Sequence, residues 1–123
     1  MNVLIIGGVA AGTKTAAKLK RMAPDARVTL LAKDKDISYA GCGLPYYVGG
    51  AIPTRDQLIV NTPAAYAALT GVEVRTGMEA IHLDAAGHTV TVRDLATGAE
   101  SQVGYDACVI ATGASPAVPP LPG

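Results

Sequence analysis

The sequence has no tryptophan and no phenylalanine, and its aromatic side chains are 5 tyrosines. A core here must be assembled from Ala, Val, Leu and Ile, as in an α/β domain. Charge of one sign is also missing. The 10 basic residues balance 10 acidic ones, so no basic stripe marks a partner among nucleic acids or anionic membranes. The two cysteines, Cys42 and Cys108, are too few for a disulfide framework, and a reduced, cytoplasmic setting is expected. Long hydrophobic runs are absent as well. The opening MNVLIIGGVAAG lacks a basic n-region and is interrupted by Lys14, so neither a signal peptide nor a membrane span is expected. No metal site is expected. What remains is a chain of 123 residues, half of them apolar, enough for one compact domain with a packed core.

Along the chain, VLII at 3–6 is a short apolar run before a glycine-rich turn, and reads as a buried strand. Residues 10–22 contain no breaker and read as a helix stopping before Pro24. VTLLA at 28–32 reads as a second buried strand. Together these make a βαβ unit with parallel strands and a right-handed crossover. A polar loop follows at 33–41, then a short helix starting near Cys42 with Pro45 in its first turn. In NTPAAYAALTG, Thr62 is the expected cap, Pro63 the first helical residue and Gly71 the stop. VEVRT at 72–76 reads as a third strand. AIHLD, TVTV and ESQVG, separated by turn residues, read as a three-stranded antiparallel meander. YDACVIATG returns to a buried strand and a glycine turn. The proline-rich SPAVPPLPG reads as a linker. The expected fold is α/β and Rossmann-like, with a parallel sheet plus the meander.

The first turn is Gly7-Gly8-Val9-Ala10-Ala11-Gly12. A dinucleotide fingerprint has the pattern G-x-G-x-x-G. Gly7 and Gly12 hold its outer positions and Val9 its middle one. The first glycine permits the tight turn, the last lets the helix approach the strand, and the amides at the helix start hold a pyrophosphate. The plain alternative is an ordinary βα turn. A second alternative is a P-loop, since Gly8–Thr15 reads GVAAGTKT. There, however, Thr13 stands where the loop needs its second glycine, and no later strand offers an evident magnesium ligand. The second strand of a dinucleotide fold ends in an acidic residue that accepts from a ribose hydroxyl. Here that position is Ala32, and Asp34 comes two residues late.

SYAGCGLPYY at 38–47 sets a lone thiol between two glycines just before a helix. That surrounding exposes a thiol and favours its thiolate, so Cys42 is expected to be the reactive cysteine. The plain alternative is a structural turn cysteine. Cys108, in an apolar strand, reads as inert core.

The glycine loop, SYAGCGLPYY and YDACVIATGASPAVPPLPG, in this order and spacing, resemble the N-terminal part of the single-cysteine, FAD-dependent pyridine nucleotide-disulfide oxidoreductases. That group includes coenzyme A disulfide reductase, NADH oxidase, NADH peroxidase and persulfide reductases. The resemblance covers essentially the whole chain. It implies that FAD pyrophosphate lies on Gly7, Gly8, Val9, Ala10, Ala11 and Gly12, and that Lys33 flanks the adenosine. It further implies that Glu79 and Ala80 meet the adenine through their backbone, and that Ala111, Thr112 and Gly113 close over the cofactor. Where this chain has Ala32 the family normally has Glu, so one charge-assisted hydrogen bond to the ribose is missing. Cys42 matches the redox cysteine. The C-x-x-x-x-C pattern of two-cysteine reductases would put its second cysteine at Tyr47, so Cys42 must cycle through a mixed disulfide, a sulfenic acid or a persulfide. The oxidase and peroxidase branch has a histidine where this chain has Ala10, which favours the disulfide or persulfide branch. His82 and His88 read as exposed polar residues.

Lys14, Lys18 and Arg21 fall on one helix face. The resemblance implies contacts to the phosphates of CoA there, with Ser38 and Gly41 beside the pantetheine end; the plain alternative is a solvated face. The expected organisation is a first FAD-binding segment at 1–114 and a linker at 115–123 toward an NAD(H) domain. The family's longer chains carry that domain, a second FAD segment and a dimerisation domain. The expectation is therefore a parent homodimer using NAD(P)H and FAD, with this segment inactive alone. The non-catalytic alternative is a nucleotide-binding or self-associating module.

Overall fold

The computed structural model describes residues 1–121, so the last two residues of the expected 115–123 linker lie outside the described residues. Strand β1 (Asn2–Ile6) leads through the glycine turn into helix α1 (Ala11–Met22), which returns to β2 (Arg27–Ala32). A 3-10 turn at Gly41–Gly43 runs into α2 (Leu44–Val48), and a second one spans Arg55–Leu58. Helix α3 (Pro63–Thr70) precedes β3 (Glu73–Thr76), β4 (Met78–Asp84), β5 (Thr89–Asp94), β6 (Glu100–Gly104) and β7 (Ala107–Ile110).

Two sheets result. The first has order β3-β2-β1-β7 and is parallel throughout. The second, β4-β5-β6, is the antiparallel meander. Alternation along the parallel strands sends side chains to two faces. Val3, Ile5, Val28 and Leu30 pack with Ala16, Tyr66 and Val72 on the helix side. Leu4 and Leu31 point the other way and pack with Val90 and Val92 of β5. The parallel sheet is thus the middle layer, and its central strands β1 and β2, covered on both faces, read as continuous apolar runs.

Local signals behave as their chemistry dictates. The Thr62 hydroxyl accepts from the Ala65 amide at 3.2 Å, Pro63 opens α3, and Gly71 ends it in the left-handed region. Two expectations need correction. The strand at 107–110 is not buried: β7 is a sheet edge, and Ala107 and Ile110 are exposed. Nor is the 33–41 loop simply polar, because Ile37 is fully buried in the main core. Residues 114–121 form no regular element and are exposed. No helix among the described residues is long and apolar enough to cross a membrane.

Candidate functional site

The site lies at the C-terminal ends of the parallel strands, where an open α/β sheet leaves its crevice. The glycine loop is fixed by its neighbours on every side. Gly7 has φ +103°, its amide donates to the Leu31 carbonyl at 2.8 Å, and a Cβ on it would come within 2.1 Å of the Ala111 carbonyl oxygen. Only glycine satisfies both the sign of φ and that approach. A Cβ on Gly12 would lie 1.9 Å from the Gly7 carbonyl oxygen, so the last glycine sets the spacing of α1 against the loop. Val9, at the middle position of the pattern, has φ +54°, a costly conformation for a β-branched residue. It is held there because its amide donates to the Ile37 carbonyl at 2.7 Å and its carbonyl accepts from the Thr13 hydroxyl.

Helix α1 starts without a side-chain cap and without an acidic residue in its first turn. Its positive end is therefore uncompensated by the protein and faces the crevice through Ala10 and Ala11. The crevice is a cleft of about 680 Å³, within the range of cofactor sites. Gly7, Gly8, Val9, Ala10 and Ala11 form its floor; Ala32, Lys33 and Asp34 one wall; Glu79 and Ala80 the other; Ala111, Thr112 and Gly113 its far end. Across it, the Lys33 ammonium donates to Glu79 Oε1 at 2.7 Å. That hydrogen bond raises the Lys33 pKa and lowers that of Glu79, so both are charged at neutral pH. These features fit a nucleotide pyrophosphate with its adenosine: an uncapped helix start, glycines no side chain could replace, a cation at the rim, and open space beside Gly113.

Cys42 is exposed in the 3-10 turn leading into α2, with Pro45 in the first turn of that helix. The turn is strapped from the side. The Ala40 amide donates to the Leu58 carbonyl at 2.7 Å and the Val60 amide to the Ser38 carbonyl at 2.9 Å. Tyr39 bridges Ile59, and Arg55 pairs with Asp36. Cys42, Ser38 and Gly41 are not among the residues lining the main cleft, although Tyr39 is. A smaller cleft of about 430 Å³, walled by Leu44, Tyr47, Leu58 and Ile59, shares Asp34, Asp36 and Tyr39 with it.

Lys14, Lys18 and Arg21 are exposed on α1, line neither cleft and form no ion pair among the described residues. The P-loop alternative would need Lys14 on a phosphate, and the cleft does not include it. Cys108 is half-buried on β7, packs beside Leu4 and Leu31, and burial pushes its thiol up. His82 and His88 are exposed. No group of three His, Cys, Asp or Glu that could hold a metal occurs among the described residues.

The sequence reading missed Ile37, whose carbonyl ties the glycine loop to the cysteine segment. A lone aliphatic inside KDKDIS was the available signal. Asp36 and Arg55 were missed too, and nothing local announces their pairing across the fold.

The fold is Rossmann-type, with its cleft at the C-terminal ends of the parallel strands. The family model for pyridine nucleotide-disulphide oxidoreductases matches residues 1–123, and the chain belongs to that family. It is 34% identical over its full length to an NADH oxidase of Methanocaldococcus jannaschii, covering 27% of that protein. It is 31% identical over 92% of its length to a coenzyme A disulfide reductase of Staphylococcus haemolyticus, covering 26% of that protein. It superimposes on an NAD-dependent persulfide reductase from A. fulgidus with a TM-score of 0.91 and 41% identity, covering 98% of this chain and 22% of that one. The chain thus spans about a quarter of the length of the relatives it matches.

Proposed function

We propose that this chain is the first FAD-binding segment of an NAD(P)H-dependent flavoprotein whose working thiol is Cys42 and whose substrate is a CoA-type disulfide or persulfide. One observation carries the reading. The Val9 amide of the glycine loop is bonded to the carbonyl of Ile37 at 2.7 Å, and Ile37 begins the segment that presents an exposed Cys42 five residues on. The glycine loop and the segment that carries the glycine-flanked thiol are therefore tied together. Residues 1–114 form the segment and 115–123 the linker to an NAD(H) domain.

The glycine loop and the start of α1 hold the FAD pyrophosphate, Lys33 flanks the adenosine, the backbone at Glu79 and Ala80 meets the adenine, and Ala111–Gly113 close the far end. Bound FAD supplies two-electron transfer from a nicotinamide to a disulfide. The Cys42 thiolate attacks one sulfur of the substrate disulfide. A new S–S bond joins Cys42 to one half, the old S–S bond breaks, and the other half leaves as a thiolate that takes a proton. Because Tyr47 occupies the place of a second cysteine, Cys42 cannot be released by an internal disulfide, and its mixed disulfide waits for an electron pair. Lys14, Lys18 and Arg21 attract the phosphates of CoA to α1, with Ser38 and Gly41 at the pantetheine end. The exposed apolar edge of β7 supports association with further chain or with a second copy.

The test is a visible absorption spectrum after incubation with FAD and desalting. A retained flavin band is expected. A colourless protein, together with no quenching of FAD fluorescence in titration, overturns the reading.

A further inference from the structure

A carboxylate that accepts from the adenosine ribose is expected at the end of β2, and Ala32, buried at 5% exposure, cannot supply it. Three carboxylates line the same cleft: Asp34, Asp36 and Glu79. Asp36 is already engaged by Arg55. Asp34 is exposed on a loop, with no ion-pair partner among the described residues. Glu79 differs from both. It sits on β4, facing the cleft from the second sheet, and Lys33, the residue next to Ala32, holds its Oε1 at 2.7 Å. Its Oε2 makes no hydrogen bond among the described residues. Its side chain is 29% exposed, which leaves it reachable by a ligand.

We propose that Glu79, fixed by Lys33, is the acceptor for the adenosine ribose 2′-OH, performing from β4 the role a carboxylate at position 32 performs from β2. This rests on the reading of the cleft as a FAD site. A carboxylate held in place before the ligand arrives loses little freedom on binding, so the Lys33–Glu79 pair is a prepared acceptor, whereas Asp34 would have to be ordered. The Lys33 ammonium also lowers the Glu79 pKa, and an ionised carboxylate is the stronger acceptor.

The test is calorimetric titration of the chain with FAD, ADP and 2′-deoxy-ADP. The wild type is expected to bind ADP about tenfold more tightly than 2′-deoxy-ADP, the factor a hydrogen bond to a charged group supports. Glu79→Ala should weaken ADP by about the same factor and bind the two nucleotides equally. Ala32→Glu placed in the Glu79→Ala background should restore the preference for ADP. If Glu79→Ala keeps the wild-type preference, the acceptor is elsewhere and the proposal falls while the FAD reading stands. If the wild type binds neither FAD nor ADP, both fall. Coincident thermal unfolding of wild type and variant keeps a folding defect from being mistaken for either result.

Discussion

Two glycine-flanked turns crown the parallel sheet, and they are built to different tolerances. The loop at 7–12 is packed backbone on backbone: the missing Cβ of Gly12 would meet the Gly7 carbonyl oxygen at 1.9 Å, and that of Gly7 the Ala111 carbonyl oxygen at 2.1 Å. The turn at 41–43 is packed on side chains. A Cβ on Gly43 would meet Leu58 Cδ2 at 2.8 Å, and one on Gly41 would meet only Tyr39 Cε2, at 3.7 Å. Both obstacles are backbone carbonyls of residues that directly follow β1 and β7 and are anchored by those strands, whereas a leucine methyl can rotate away. The loop at 7–12 is rigid by construction; the cysteine turn is held but can adjust, which would suit the working thiol proposed at Cys42.

The largest expected effect is at Gly12. Helix propensity alone favours Ala over Gly by about 1 kcal/mol, so a purely local account predicts that Gly12→Ala stabilises. The contact with the Gly7 carbonyl predicts the reverse. Overpacking of this kind costs about 1–3 kcal/mol and occasionally more, and with no side chain to give way the upper end applies. Gly12→Ala should lower stability by about 3 kcal/mol in denaturant unfolding. A stabilised variant would remove the rigid half of the comparison.

Next in size is the contrast between the two cysteines. Alkylation at neutral pH should modify Cys42 before Cys108, by at least about tenfold. Cys42 is exposed, while Cys108 is half-buried and its thiol pushed up by burial. Cys42→Ser should abolish the fast phase and Cys108→Ser leave it intact. Peptide mapping that finds Cys108 modified first would break the assignment of Cys42 as the working thiol.

How much of this was legible depended on how local the physics is. The βαβ unit, the Thr62 cap with Pro63 and Gly71, and the meander are set by residues within a turn or two of one another, and the sequence pattern announces them. Gly7 and Gly12 were legible because the turn itself demands the positive φ of Gly7 and the approach of Gly12 to the Gly7 carbonyl. The rest depends on contacts between segments far apart. Ile37 plugs the core from inside a charged stretch, and no window of neighbouring residues shows what it packs against. β7 reads as buried because it is apolar, yet only its place in the strand order makes it an edge. The Lys33–Glu79 pair joins residues 46 apart, so no local pattern announces it.

The smallest effects separate the two flanks of Cys42 itself. Gly43→Ala crowds Leu58, which is 4% exposed, and should cost about 1 kcal/mol. The cost should vanish in a Leu58→Ala background, because the clashing methyl is then gone; an unchanged cost there would mean the glycine is needed for its backbone and not for its neighbour. Gly41→Ala should shift stability by no more than about 0.5 kcal/mol, since its new methyl meets only the edge of Tyr39 at ordinary contact distance. That near-neutrality makes it the sharper probe. If Gly41→Ala leaves unfolding untouched but slows alkylation of Cys42, the glycine is there to give a partner molecule room at the thiol. If neither changes, the approach to Cys42 is from the Leu44 and Tyr47 side, and the smaller cleft becomes the path to the sulfur.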